Sequence, residues 1–260
     1  MATFPSVFVS HGAPTLLLDE TETRAFLEGL GSTLGTPRGI VCASAHWEAP
    51  CATVSGSAAP GTIHDFLGFP SELYAVRYPA PGDPALARSV AALLTAAGIE
   101  AAIDGARGLD HGAWVPLKLA YPGADVPVVE ISVQPGLGPA HHLEIGRALA
   151  PLREDGVLVL GSGGATHNLR EFGRYAIGDP PAGYAREFDE WLRDAIGRGD
   201  AESLLSYADR GPHGLRNHPT PEHFLPILVP MGSSGPAGRG RRIHAAFEYG
   251  VLSMAAFSWD

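Results

Sequence analysis

The stretch Pro5–Pro14, PSVFVSHGAP, decides how the chain is read. Val7, Phe8 and Val9 form a short β-branched and aromatic run of the kind that fills a buried strand. Ser10, Gly12 and Pro14 end it abruptly, because Gly and Pro break regular structure most strongly. His11 is left at the carboxyl end of that strand, the edge at which open α/β sheets bind ligands. The same grammar recurs in Gly39–Ala45, GIVCASA, which runs into His46. It recurs again in Gly156–Leu160, GVLVL, which runs into GSGGATHNL and His167. Val126–Val133, VPVVEISV, is a further strong strand.

Helical patterns separate these strands. LLLDETETRAFLEGLGSTLG reads as a helix capped by Asp19 or Thr21, with Phe26, Leu27 and Leu30 on its apolar face. Asp83 caps PALARSVAALLTAAG, which Gly98 closes. His141–Leu152, Ala182–Arg198, Ala201–Tyr207 and Glu222–Val229 also have helical spacing, and Trp114–Tyr121 reads as helix. Ala52–Ser55 is expected as an edge strand, Glu100–Ile103 as a short strand and Arg242–Phe257 as a closing hairpin. Thr62–Pro84, dense in aromatics and prolines, shows no clean periodicity and reads as a long ordered loop of the sort that lines sites. No repeat and no linker divides the chain. The expectation is one α/β domain over residues 1–260, with a central mostly parallel mixed sheet flanked by helices. Strand order does not follow from these patterns.

Composition narrows the class. The chain is 45% hydrophobic and 18% charged, ordinary values for a globular enzyme. A net charge of -10 leaves no basic surplus to neutralise phosphates, so nucleic acid is not an expected partner. Two cysteines, Cys42 and Cys51, suggest no disulfide framework and a reduced, cytoplasmic setting. Neither a signal-peptide pattern nor an apolar run of spanning length is evident, and no membrane association is expected.

The eleven histidines have unequal contexts. His141 and His142 open a helix and read as surface or capping residues; His213 lies in a polar loop and His244 in a strand, and none of the four reads as a ligand. His11, His46, His167 and His223 stand at element boundaries beside Gly, Pro or aromatic residues, and imidazole is the commonest neutral nitrogen ligand for Fe, Zn and Cu. His111 lies on the glycine-flanked turn of GLDHGAW. No HExxH or CxxC spacing occurs. GSGGATHNL lacks the Lys-Ser/Thr ending of a P-loop and the order of a dinucleotide loop, and no GxSxG elbow is present.

Taken together, these residues resemble one known family. FVSHGAP (8–14), SAHWE (44–48), TIHDFLGFPSELY (62–74) and YPAPGDPALA (78–87) match it, as do GLDHGAWVPLKLAYP (108–122), GSGGATHNLREF (161–172) and HPTPEHFLPILV (218–229). The chain is similar to the DODA-type branch of the class III, LigB-like extradiol ring-cleaving dioxygenases, and the motifs keep family order over nearly its whole length.

The resemblance implies a LigB-like fold around a mononuclear non-haem Fe(II), with a catechol substrate, DOPA-like or simpler, and O2. By motif, His11, His46 and His223 are the implied metal ligands. His167 is implied as general base or additional ligand, and His111 as the residue that binds or protonates substrate oxygens. His64 is implied as a pocket-wall or supporting residue, with Phe66, Phe69 and Tyr74 forming an apolar wall. Glu222, adjacent to His223, is the fallback third ligand, since neighbours on a helix point about 100° apart. His167, with an ordinary pKa of about 6.5, is suited to take a proton at neutral pH. Arg77, Lys118 and Arg170 are candidates to pair a substrate carboxylate. A three-histidine site also accepts Zn(II), so a zinc hydrolase or amidase is one rival reading and a non-catalytic LigB-like binding protein the other. A monomer or small homo-oligomer is expected.

Overall fold

The computed structural model describes residues 3–235 and 238–260. Ten strands are assigned: β1 (Ser6–Ser10), β2 (Gly39–Glu48), β3 (Ala52–Ser55), β4 (Ala101–Asp104), β5 (Val128–Val133), β6 (Val157–Gly163), β7 (Arg241–His244), β8 (Phe247–Glu248), β9 (Leu252–Ser253) and β10 (Ala256–Trp259). The helices are α1 (Glu22–Leu34), α2 (Ser71–Ala75), α3 (Pro84–Ala96), α4 (His111–Ala120), α5 (Gly138–Glu154), α6 (Gly183–Arg198), α7 (Ala201–Leu205), α8 (Tyr207–Arg210), α9 (Gly214–Asn217) and α10 (Leu228–Ser233). Eight strands form one sheet in the order β4-β3-β5-β2-β6-β1-β10-β7, and β8 pairs with β9 apart from it. The neighbours β3–β4, β5–β2, β2–β6 and β6–β1 run parallel, while β3–β5, β1–β10 and β10–β7 run antiparallel.

Both sheet faces are covered because successive residues of each central strand are buried and point alternately to the two faces. Ile40 and Cys42 pack with Leu27 and Leu30 of α1 and Trp114 and Leu117 of α4. Val41 and Ala43, one residue out of phase, pack with Leu86, Val90 and Leu94 of α3 and Ile145 and Leu149 of α5. Thr21 caps α1 by accepting from Arg24 N–H, and Asp83 caps α3 by accepting from Ala85 and Leu86 N–H. The β1 and β6 strands end together, since Ser10 pairs with Gly163, and the pairing of β2 with β6 stops at the same level, at Ser44–Ser162. That shared carboxyl edge carries the histidines.

Several local expectations change. Ala52–Ser55 is flanked by β4 and β5, so β4 takes the edge. His46 lies within β2, where the pairing with β5 shifts between Ala43 and Glu48; the bulge re-aims the side chain. His111 is the first residue of α4 rather than part of a turn, with Asp110 as its N-cap. The Glu222–Val229 segment is not one helix. Glu222 and His223 lie in a turn, Leu225–Ile227 is a 3-10 turn that opens with Pro226 near its start, and α10 begins at Leu228. His142 is fully buried, accepting Gln134 N–H and reaching the Gly138 carbonyl.

Candidate metal centre

Three imidazoles meet at the carboxyl edge: His11 directly after β1, His46 in the β2 bulge and His223 from the turn before Leu225. His46 Nε2 stands 3.0 Å from His11 Nε2 and 3.2 Å from His223 Nε2. The other nitrogen of each ring faces an acceptor. Ser162 Oγ lies 3.0 Å from His11 Nδ1 and gives its own proton to the Gly112 carbonyl, so it accepts from Nδ1–H. His223 Nδ1 donates to Glu222 Oε1 at 2.9 Å. His46 Nδ1 faces Asp65 Oδ2 at 3.4 Å.

These acceptors favour the Nδ1–H tautomer, in which the three Nε2 atoms turn lone pairs on one another. Such an arrangement is repulsive until a cation enters it, and second-nitrogen hydrogen bonds of this kind are how proteins prepare metal-binding histidines. Donors about 2.0–2.1 Å from a shared ion lie roughly 3 Å apart, so the separations fit one metal ion. Burial is the largest influence on each ring. Together with the neighbouring imidazoles it pushes His11 and His223 well below the ordinary value, and it takes His46 to about 3 against the opposing pull of Asp65. All three are neutral at pH 7, the form that binds metal.

Two more histidines flank the centre. The His167 ring stacks on His223, centroids 3.3 Å apart and 9° from parallel, and its backbone N–H is held by the Asn217 carbonyl. It is not one of the three converging nitrogens; one of its ring nitrogens lies within 4.8 Å of donor atoms of Glu222 and His223, a second set that could hold an ion. Burial and then the His111 charge push it down to about 4. At neutral pH it is an unprotonated acceptor of weaker proton affinity than a free imidazole. His111 lies beside His46, ring centroids 3.8 Å apart, and its Nδ1 is 2.9 Å from Asp65 Oδ2.

Below these rings is a buried polar network. Asp110, the N-cap of α4, accepts from Ser44 Oγ at 2.6 Å and from Arg107 Nη2 at 2.9 Å. Its backbone N–H donates to Glu130 Oε1 at 2.9 Å. Asp110 and Glu130 are fully buried, and burial raises both carboxyl pKa values. The network ties β2, β5 and α4 together under His46 and His111. A charged residue inside the apolar run VPVVEISV was its sequence signal, since Glu is almost never fully buried unless paired. Asp65 and Ser162 gave no such signal, because their partners come from distant segments.

Two glycines let the pieces close. A Cβ on Gly163 would fall against the His223 carbonyl oxygen, and one on Gly112 would lie 2.6 Å from Ser44 Oγ and 3.0 Å from His46 Cδ2. The histidines floor a cavity of about 540 Å³ whose walls include Phe66, Phe69, Leu169, Phe172 and Met254. His64 and Tyr74 do not line it. They stand behind the wall, Tyr74 and His64 with ring centroids 5.1 and 5.8 Å from Phe66, and His64 Nε2 lies 3.0 Å from the Val76 carbonyl. Among the described residues no Lys or Arg lines the cavity. Arg77 and Lys118 reach backbone carbonyls instead, and Arg170 is exposed.

Residues 7–255 match the family model of the catalytic LigB subunit of aromatic ring-opening dioxygenase. The chain belongs to that family and is an extradiol aromatic ring-opening dioxygenase of the DODA-like kind. It is 42% identical over 259 residues to a 4,5-DOPA dioxygenase extradiol of Portulaca grandiflora, covering 98% of this chain and 95% of the relative. A protein of the same description from Escherichia coli K12 is 39% identical over 233 residues, covering 88% and 84%. The crystal structure of an uncharacterized protein from Escherichia coli K12 superposes with a TM-score of 0.82 at 35% identity, covering 99% of this chain and 100% of that one. No helix among the described residues is long and apolar enough to cross a membrane.

Proposed function

We propose that this chain cleaves a catechol-type, DOPA-like substrate beside its hydroxyls with O2 and yields a muconic semialdehyde. The observation that carries the reading is the trio of converging Nε2 atoms at the floor of an apolar, aromatic-walled cavity. His11, His46 and His223 would hold Fe(II). Bound there, the metal would supply Lewis acidity to the catechol oxygens and a site for O2. Phe66, Phe69 and Phe172 in the cavity wall would give an aromatic ring apolar surface to pack on. His167, neutral at pH 7, takes the proton of the second hydroxyl on a ring nitrogen and in that acid form returns it to the oxygen that must leave, while His111, backed by Asp65, turns its Nε2 to the substrate oxygens. Ser162 and Glu222 keep their histidines in the donor tautomer.

Anaerobic loading with Fe(II), then a catechol panel under air, tests this directly. Stoichiometric O2 uptake with a new yellow chromophore is expected. An Fe(II)-loaded protein that leaves every catechol intact, while the Zn(II)-loaded form hydrolyses esters or amides, would sink the reading.

A further inference from the structure

Asp65 touches two histidines that the sequence places far apart. Its Oδ2 is 2.9 Å from His111 Nδ1 and 3.4 Å from His46 Nδ1, and its Oδ1 accepts the His111 backbone N–H at 2.9 Å. His11 and His223 each have a separate acceptor, Ser162 and Glu222. Among the described residues Asp65 is the acceptor facing His46 Nδ1. The segment that carries it is clamped to the start of α4. Thr62 bridges to Leu109, Ile63 N–H donates to the Leu109 carbonyl at 2.7 Å, and Trp114 Nε1 donates to the Ile63 carbonyl at 2.8 Å.

We infer that Asp65 is a positioning residue that sets the tautomer of His46 and His111 together. One carboxylate oxygen collects both Nδ1 protons, so His46 Nε2 stays bare for a metal and His111 keeps Nε2 free for substrate. The metal-facing nitrogen of His46 and the substrate-facing nitrogen of His111 thus share one support. The backbone N–H of His111 is hydrogen-bonded to Oδ1 while both ring nitrogens stand within ion-pair distance of Oδ2, so setting both tautomers requires a group with two acceptor oxygens. An amide has only one acceptor oxygen. Turned one way its NH2 meets the His111 backbone N–H; turned the other way it drives both ring protons onto Nε2, where His46 no longer binds metal. Truncation is milder, since the Asp65 side chain is 22% exposed and water can take the acceptor position.

This rests on His46 being a metal ligand, so the test reads metal and tautomer separately, without activity. In Co(II) titrations of D65A and D65N, D65N is expected to bind about 10–100-fold more weakly than the unsubstituted protein, with D65A between the two. A packing role alone predicts the reverse order, and D65A weaker than near-isosteric D65N overturns the inference. Long-range proton–nitrogen correlation on the metal-free unsubstituted chain needs no variant and covers the case of misfolding. Protons on Nδ1 of both His46 and His111 are expected, and a proton on Nε2 of either ring overturns the inference. Two Nδ1–H rings in a protein that binds no Co(II) would uphold the tautomer setting and remove the metal reading alone.

Discussion

Each second nitrogen of His11, His46 and His223 faces an acceptor, Ser162, Asp65 and Glu222 in turn, which would leave Nε2 of each ring to a metal. Removing a donor and removing its support should therefore differ in degree. His223→Ala is expected to leave the protein unable to retain stoichiometric metal, whereas Glu222→Gln should weaken affinity by about 10–100-fold; metal content after dialysis separates the two. His167 lies against the cluster without joining it. His167→Ala should lower kcat by about 10²–10⁴-fold while Co(II) affinity holds within a few-fold. If metal content collapses with turnover, His167 is a ligand. The neighbouring Glu222 and His223 were not separable by helical geometry, since neither lies in a helix. What separates them is that Glu222 hydrogen-bonds to Nδ1 of His223 while Nε2 of His223 joins the cluster.

At the level of elements, the site depends on how closely β6, α4 and the His223 turn approach. Gly163 ends β6 with its Cα against the His223 carbonyl, so Gly163→Ala forces that turn outward. A loss of about 1–3 kcal/mol in urea unfolding is expected, with weaker Co(II) binding in the folded protein; unchanged metal binding would show that the turn adjusts freely. The α5 helix carries a pH-dependent element away from the centre. Burial depresses His142 from 6.5 to about 4, so the folded state refuses a proton that the unfolded chain accepts. Its contribution is complete above about pH 6.5 and is lost as pH falls toward 4, by about 2 kcal/mol at pH 5. His142→Gln, which does not titrate, should lose less stability between pH 7 and pH 5 by about that amount. Equal losses would place the acid sensitivity elsewhere. Reading His142 as a capping or surface residue missed this, because helical spacing cannot tell which side of α5 the Gln134 turn covers.

Across the whole molecule, the central strands and the caps of α1 and α3 were legible locally, since apolar alternation and capping chemistry act within a few residues. The sheet order was not, and it governs the site. The β6 strand, late in sequence, inserts between β1 and β2 and brings Ser162 beneath His11. Metal should consequently stabilise the fold itself, by relieving three facing lone pairs from distant segments. At a hundredfold excess over Kd, Co(II) should add about 2.7 kcal/mol and raise Tm by roughly 5–10 °C for a chain this long. A Tm that ignores saturating metal would argue against convergence of the three rings on one ion.

The sequence by itself determined the elements, the α/β class and, through motifs spread over nearly all its length, the family and its histidines. Only the tertiary structure decided which acceptor stands behind each imidazole, and that Phe66 and Phe69 line the cavity while His64 and Tyr74 support it from behind. The physical reason is range. Burial patterns and caps are set by neighbours along the chain, whereas a tautomer is set by an atom about 3 Å away in space that lies up to 151 residues away in sequence.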